Sequence, residues 1–550
     1  MKRALSWLKA NSVMLVNSGS LVGTMIVTSG LGFVYWWVAA RRFTPEVVGI
    51  GSAAISSMTL LGTFCVLGLG TLLITEIPRQ PEKALPLITT SLTVVTIAGG
   101  LAGLLFAMIA PLCSKQFSYL NTSVIDIISY AGGVSLTSIT LVLDQALIGL
   151  LRGFQQFYRN ALFATIKLVA LITITFLSSN QTGMNVYATW TLGNLLSVVI
   201  ILVPLLFKSK KPLHSYLPEW KLLRQMGSAA MQHHLLNIML QFTAYALPTI
   251  VTVLLSARMN ALFYVSWMMV NFIFYIPAAL TVVLHAMNSA HQSTLARRAR
   301  VTISLALATS VVAAVILQCI AQQVLSVFGR AYIDGASILR ILVLAAFPII
   351  IENHYISICR IQDRVKSATW MMALACCLEL GAIVIGARLG GLFGLSLGWV
   401  IISYVEAICM LPTIYNAVLV TKPSAMHVEE SFVDAAAEAL WLMDTAMLPA
   451  IDTSRLPIIK PINRETELYK KSGQRSSNNS RSLRPLRLQP LTSSSPRQSH
   501  LTLRTGPRGQ FVKPGFIDAH HKALENGDGI THPSSLSSSD PLVPDRYITR

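Results

Sequence analysis

Long apolar segments, separated by short polar ones, run through the first 420 residues of the chain. A helix that crosses a membrane needs about 20 mostly apolar residues, and twelve segments meet this requirement. They lie at residues 13–40, 47–75, 84–110, 124–151, 160–178, 185–207, 229–255, 261–285, 301–328, 337–358, 367–387 and 391–417. In lipid, backbone groups must form their hydrogen bonds within their own segment, so each segment is expected to be helical. The pattern predicts an all-α polytopic membrane protein with about twelve transmembrane helices.

The basic residues in the connections predict how these helices are oriented. Eighteen Lys and Arg residues lie in the N-terminal segment and in every second connection, and the other connections hold six. Positively charged loops remain on the cytoplasmic side of a membrane. The distribution therefore predicts a multi-pass protein with both termini in the cytoplasm.

The longest internal connection divides the predicted helices into two sets of six. We expect an N-terminal bundle at 1–207, a cytoplasmic linker at 208–228 and a C-terminal bundle at 229–420. Residues 421–550 have a different composition: between positions 470 and 513 there are ten Lys and Arg residues and no acidic residue. Such a segment buries too little apolar surface to fold alone. We predict a basic, mostly disordered cytoplasmic tail, which is either simply solvated or docked on anionic lipid or a partner protein.

The composition also limits the possible functions. Only 12% of the residues are charged, and the mean hydropathy is +0.59. The seven cysteines lie in or beside apolar stretches, so we interpret them as packing residues and expect neither a metal site nor a cofactor. A nucleotide-binding G-x-x-x-x-G-K-[ST] loop is missing, which argues against ATP as the direct energy source. The net charge of +19 is explained by the loops and the tail, so no nucleic-acid partner is expected.

Ionisable residues within the predicted spans are candidates for functional groups. A charge at mid-bilayer costs about 2.5–3.5 kcal/mol on insertion scales, so it usually faces a partner or a water-filled cavity. Asp144 and Lys167 lie at similar distances from a turn placed near residues 155–156. We therefore expect a buried contact between them, either purely structural or broken and remade during transport.

Three glutamates are further candidates for ion coupling. Glu352 follows Pro348 by one helical turn, and a proline often marks a bend in a membrane helix. Glu379 and Glu406 lie near the middle of the last two predicted spans. Each of the three either binds a coupling ion or forms a hydrogen bond with a neighbouring helix.

Larger polar side chains follow helical spacing in the seventh and eighth spans. Residues three or four positions apart share a face of a helix, and hydrogen-bonding side chains that face lipid are costly. We therefore expect these residues to line a wet substrate cavity: His233, Asn237, Gln241 and Tyr245 in span seven, and Trp267, Asn271 and Tyr275 in span eight.

The connection between the first two spans carries a recognisable motif. Residues 37–53 read WVAARRFTPEVVGIGSA, and residues 67–71 read LGLGT. This stretch resembles the start of the O-antigen and exopolysaccharide flippases of the multidrug/oligosaccharidyl-lipid/polysaccharide exporter superfamily. The matching loop residues are Arg41, Arg42, Pro45, Glu46 and Gly49.

The resemblance implies two six-helix bundles around a central cavity that opens alternately to each side. It also implies a polyprenyl-pyrophosphate-linked oligosaccharide as substrate, moved across the cytoplasmic membrane for surface polysaccharide biosynthesis. The expected partners are this lipid-linked glycan, membrane lipids and polysaccharide-assembly proteins. Lys167, which lies deep in a predicted span, is our candidate for contact with the anionic headgroup.

Other functions remain open. A cation-coupled multidrug or small-molecule exporter of the same superfamily would need an essential acid, for which Asp144 and Glu352 are candidates. A membrane scaffold would act through the tail. A membrane enzyme is disfavoured, because the predicted external connections are too short to carry a catalytic domain.

Overall fold

The computed structural model describes residues 12–177, 181–208, 218, 220, 228–288 and 295–420. Most of the predicted linker and the whole predicted tail lie outside these residues. The described helices are α1 (Ser12–Arg42), α2 (Pro45–Cys65), α3 (Leu69–Arg79), α4 (Ala84–Cys113), α5 (Val124–Gly149), α6 (Gly153–Leu177), α7 (Gly183–Lys208), α8 (Ser228–Leu254), α9 (Ala257–Asn288), α10 (Leu295–Ser326), α11 (Ala336–Val343), α12 (Ala346–Ile361) and α13 (Val365–Tyr415). Short 3-10 turns lie at Pro81–Lys83, Lys115–Leu120 and Arg330–Gly335.

The number of membrane spans follows from the lengths of these helices. Within the described ranges, ten helices are long and apolar enough to cross a membrane, and the bent pair α11–α12 raises the number to eleven. Helix α13 has 51 residues, which would make a straight helix about 75 Å long. The apolar core of a bilayer is only about 30 Å thick, so α13 is too long for one span.

Helix α13 is in fact a hairpin of two antiparallel arms. The backbone leaves helical geometry at Gly390 and Gly391, and Gly391 has φ +56° and ψ −137°. The indole Nε1 of Trp399 donates a hydrogen bond of 2.7 Å to Oε1 of Glu379, twenty residues earlier. Counting the arms 365–389 and 392–415 separately gives twelve spans. The predicted all-α polytopic fold is confirmed.

Two of the predicted spans are broken rather than straight. The second is divided between α2 and α3, where Leu67 and Gly68 have positive φ values. The tenth bends by 45° between α11 and α12. Pro348 lacks the N–H that would otherwise bond to the carbonyl of Leu344, and the hydroxyl of Tyr404 donates to this carbonyl at 3.0 Å.

The turn between α5 and α6 lies earlier than predicted. Helix α5 ends at Gly149 and α6 begins at Gly153, whereas the sequence pattern placed the next span at residue 160. Leu151 adopts φ +56°, and the N–H of Arg152 donates to the carbonyl of Leu147 at 2.8 Å. This is a helix end in which leucine takes the position usually held by glycine.

The two halves of the chain, 12–208 and 228–420, contact each other through α2, which packs against α8 and α9. A Cβ atom at Gly49 would lie 2.6 Å from the carbonyl carbon of Ala257. The amide of Asn260 donates to the carbonyl of Gly49 at 2.8 Å and to the hydroxyl of Ser52 at 3.0 Å. The halves are therefore closed at the end where α1 meets α2 and α8 meets α9. The loop charges predict that this end is external.

Candidate functional site

A cavity of about 290 Å³, with a mixed polar and apolar lining, lies within the second half of the chain. Helices α8, α9 and α12 and both arms of α13 form most of its wall, and Met25 of α1 closes part of one side. Its polar and aromatic lining consists of Asn237, Gln241, Thr243, Trp267, Asn271, Phe274, Tyr275, Thr281, His285, Glu352, Asn353, Ser357, Arg360, Glu379 and Trp399. The cavity thus combines hydrogen-bonding groups, aromatic faces and charges of both signs.

Two carboxylates line this cavity. Glu379 accepts hydrogen bonds from the hydroxyl of Thr243 at 2.5 Å and from the indole of Trp399 at 2.7 Å. Glu352, on α12, lines the same space. Glu406 lies on the second arm of α13 outside the lining set, and its buried Oε1 has no hydrogen-bond partner among the described residues.

Positive and amide groups occupy the end of the cavity where α8 begins and α9 and α12 end. Arg360 lies in the last turn of α12 and donates from Nη2 to Oδ1 of Asn237 at 2.9 Å. His285 lines the cavity near the end of α9. The loop charges predict that this end is cytoplasmic, opposite to the end at which the halves are closed.

The polar residues singled out in spans seven and eight fall mostly on cavity walls. Trp267, Asn271 and Tyr275 all line the main cavity. A second cavity of about 150 Å³ lies between the two halves, and Asn237 and Gln241 contribute to both. Tyr245 lines the second cavity. His233 lines neither, but lies within electrostatic range of His285.

The predicted contact between Asp144 and Lys167 is wrong. Asp144 lines the second cavity and is paired with Arg159, whose Nε and Nη2 donate to its two oxygens at 2.6 and 2.5 Å. The amide of Asn160 donates to the same carboxylate at 3.0 Å. The cause is the misplaced turn: with the turn at Leu151, the residue level with Asp144 is Arg159, two helical turns before Lys167.

Lys167 lies instead among aromatic rings in the first half. Its ammonium is 3.4 Å from the ring centre of Trp190, 4.5 Å from that of Phe163 and 5.3 Å from that of Tyr35. The residue is 3% exposed and lines neither cavity. In this conformation Lys167 is not placed to meet an anionic headgroup.

The motif residues lie at the closed end of the molecule. The guanidinium of Arg41 donates to the carbonyl of Val327 at 2.7 Å and to that of Ser326 at 3.4 Å, at the end of α10. Arg42 lies over the ring of Phe176 in its own half. Pro45 occupies the first turn of α2, and Glu46 is exposed beside it.

Sequence reasoning missed three groups of the site: Arg159, His285 and Arg360. The two arginines were assigned to cytoplasmic connections because they stand near the ends of apolar segments. A usable signal was present for Arg360, since Glu352, Ile356 and Arg360 are spaced four residues apart on one helix face. His285 carries no such signal, because only the fold brings α9 beside α12.

No protein-family model matches the sequence, and no curated protein matches it in a sequence comparison. Solved structures do match. One, described as the inward-facing conformation of a multidrug resistance MATE family transporter of the MOP superfamily, aligns with a TM-score of 0.57 at 15% identity, over 74% of this chain and 100% of that one. A MATE protein in complex with MaL6 aligns with a TM-score of 0.51 at 15% identity, over 75% and 97%.

A third structure is a MOP superfamily transporter from Pyrococcus furiosus Vc1 (DSM3638), described by a reverse polarity of its binding pocket that suggests a different function. It aligns with a TM-score of 0.51 at 13% identity, over 75% of this chain and 96% of that one. At these identities the likeness shows the fold: the chain has the fold of MATE transporters of the MOP superfamily. Membership of the polysaccharide flippases stays a prediction.

Proposed function

We propose that this chain is a membrane transporter that exports a small molecule by alternating access. The two halves are joined by hydrogen bonds at the predicted external end, and the main cavity reaches toward the opposite end. Proteins of this fold include a multidrug resistance transporter. A rocking movement that opened the contact between α2 and α9 would expose the cavity to the other side of the membrane.

The observation that carries this proposal is the chemistry of the main cavity. Half-buried carboxylates and amides beside Trp267, Tyr275 and Trp399 form a concave site with a few fixed polar groups, as small-molecule sites usually do. A cavity of about 290 Å³ suits a compact molecule better than a lipid-linked oligosaccharide. This supports the small-molecule exporter over the flippase.

Cation coupling through the acidic part of the cavity completes the proposal. A carboxylate in a membrane protein interior is stabilised by binding a proton or a metal cation, so its occupancy can be tied to the movement of the halves. The test uses full-length protein in proteoliposomes and follows a fluorescent organic cation under an imposed proton or sodium gradient. We expect Glu352→Gln to abolish gradient-driven transport and Glu82→Gln, an exposed matched control, to retain it. Normal transport by Glu352→Gln would remove Glu352 from the mechanism.

A flippase for polyprenyl-pyrophosphate-linked oligosaccharide is the second candidate. The observation that favours it is the motif at residues 37–53, whose Arg41 and Gly49 join the two halves. The deciding experiment measures which leaflet holds the lipid-linked glycan in cells that lack the protein, using an impermeant probe. An enlarged glycan pool that cannot be labelled from outside would favour the flippase. An unchanged, accessible pool would leave the exporter in first place.

A further inference from the structure

Arg360 carries a positive charge into the main cavity without a carboxylate beside it. Among the described residues, the ion pairs join Arg79 to Glu76 and Arg159 to Asp144, and neither involves Arg360. Its one hydrogen bond within the same residues is the donation from Nη2 to Asn237. The guanidinium is therefore held in place by an amide, and no carboxylate of the described ranges neutralises it.

Two nitrogen atoms at this end of the cavity have no hydrogen-bond partner among the described residues. Nε of Arg360 and Nδ1 of His285 are both buried and form no hydrogen bond within the described part of the chain. The two residues belong to different helices, α12 and α9, both line the cavity, and they lie within electrostatic range of each other. Buried polar groups normally form hydrogen bonds, so two neighbouring buried nitrogen atoms without one require a specific explanation.

The carboxylates of the cavity do not supply the missing partner. Glu352 precedes Arg360 by eight residues on α12, a rise of about 12 Å along the helix. Glu379 is already bonded to Thr243 and Trp399. An unneutralised charge within a membrane protein is costly and usually faces a functional partner. Within the ranges that the structure describes, no side chain fills this role.

We propose that Arg360, with His285 and Asn237 beside it, binds an oxyanion, either a carboxylate or a phosphate, carried by the transported molecule. Nε and one terminal nitrogen of a guanidinium form a planar fork that matches two oxygens of such a group. In Arg360 this fork consists of Nη2 and of Nε, which has no hydrogen-bond partner among the described residues. His285 supplies a further donor, and the amide of Asn237 fixes the orientation.

The position of the site predicts how the substrate is oriented in the cavity. The oxyanion end would lie at the predicted cytoplasmic mouth, and the remainder would extend toward Glu352, Glu379 and the aromatic wall. A molecule with an acidic group at one end and a neutral or cationic group at the other matches the Arg360 end of the cavity and its glutamate end. This inference rests on the proposed export function, because it identifies the anion as part of the cargo.

The oxyanion has two possible sources, a soluble molecule or a lipid headgroup, and one experiment separates them. Full-length protein is placed in nanodiscs of neutral lipid and titrated with inorganic pyrophosphate, or is placed in nanodiscs that contain phosphatidic acid. Tryptophan fluorescence reports occupancy, because Trp267 and Trp399 line the cavity, and thermal unfolding reports stabilisation. The variants are Arg360→Gln, His285→Gln and the matched control Arg364→Gln, an exposed arginine four residues further along.

We expect wild type and Arg364→Gln to respond to at least one probe and Arg360→Gln to bind it about tenfold more weakly or worse, with a smaller loss for His285→Gln. A response to pyrophosphate identifies a soluble source, and a response to phosphatidic acid alone identifies a lipid. Arg360→Lys keeps the charge but loses the planar fork, so we expect a similar loss of binding. This variant replaces Arg360→Gln if Arg360→Gln does not fold. Equal behaviour of the Arg360 and Arg364 variants with both probes, including no response at all, would overturn the proposal.

This test is independent of transport. No gradient is applied, so the two proposals can fail separately. Oxyanion binding by a protein that moves neither an organic cation nor a zwitterionic fluorescent substrate under a gradient would retain the site and remove the proposed exporter. Gradient-driven transport without oxyanion binding would retain the proposed exporter and remove the oxyanion site.

Discussion

At the scale of single residues, buried cations in this protein are accommodated in different ways. Lys167 is surrounded by the aromatic rings of Tyr35, Phe163 and Trp190, whereas Arg159 is paired with a carboxylate. The negative face of an aromatic ring attracts a cation, and this attraction reaches about 2 kcal/mol where water is excluded. Lys167 is therefore part of the packing between α1, α6 and α7, and its charge is not available to a ligand in this conformation.

The aromatic contact of Lys167 can be measured by a double-mutant cycle. We expect Trp190→Leu to destabilise the protein more in the wild-type background than in a Lys167→Met background, with a coupling free energy of about 1–2 kcal/mol. Thermal unfolding of purified protein in detergent provides the measurement. Trp190 also contacts Trp36, so Trp36→Leu combined with Lys167→Met is the matched control and should show coupling close to zero. Equal costs of Trp190→Leu in both backgrounds would contradict the interpretation.

The Asp144–Arg159 pair gives a second prediction at this scale. The side chain of Arg159 is 4% exposed and that of Asp144 is 19% exposed. Asp144→Ala leaves a buried cation unpaired and should cost about 3 kcal/mol of unfolding free energy. Arg159→Ala should cost less, since the remaining carboxylate reaches water, and the double variant should cost less than the sum.

The surface pair Arg79–Glu76 is the natural control, because its side chains are 37% and 26% exposed. Glu76→Ala should cost below about 1 kcal/mol. Coupling between Asp144 and Lys167 should be close to zero. A strong Asp144–Lys167 coupling would restore the contact predicted from the sequence.

At the scale of elements, the sequence predicts helices well and their ends less well. The twelve spans could be predicted because the bilayer fixes their length and because backbone groups in lipid must form their hydrogen bonds within their own helix. The turn after α5 could not, because Leu151 adopts a backbone conformation that sequence patterns assign to glycine or asparagine. That local error moved the expected partner of Asp144 by eight residues.

The hairpin in α13 yields a prediction with an adjacent control. Gly391 has φ +56° and ψ −137°, a conformation open essentially to glycine alone, whereas Gly390 has φ −145°, which other residues also adopt. A Cβ at either position would meet no atom within 4 Å, so only the backbone differs. Gly391→Ala should lower the unfolding free energy by about 1–3 kcal/mol, and Gly390→Ala should have a smaller effect. Equal losses of unfolding free energy in the Gly391→Ala and Gly390→Ala variants would contradict the positive φ assigned to Gly391.

At the scale of the whole molecule, the candidate site is assembled from helices that are distant in sequence. The polar faces of spans seven and eight could be predicted from their spacing. The grouping of Asn237, His285 and Arg360 could not, because it depends on how α8, α9 and α12 pack. The same holds for the closed end, where Arg41 of the first half meets the last carbonyls of α10 in the second.

The contact between Arg41 and α10 predicts how the closed end can be opened. Arg41 donates to the carbonyl of Ser326, the last residue of α10, and to that of Val327 directly after it. Removing Arg41 should weaken the closed arrangement of the halves, whereas Arg42, which contacts Phe176 within the first half, should not affect it. The two adjacent arginines therefore form a matched pair.

The measurement is the rate at which a membrane-impermeant maleimide labels a cysteine at position 52, in a chain without its native cysteines. Ser52 is fully buried where the halves meet, so labelling reports opening. We expect Arg41→Ala to accelerate labelling severalfold and Arg42→Ala to leave the rate unchanged. Labelling of intact cells also tests the predicted orientation, because a cysteine that reacts only after permeabilisation would place this end in the cytoplasm. Equal rates for both arginine variants would show that Arg41 does not hold the halves together, and the contact of Gly49 and Asn260 would then be sufficient for closure.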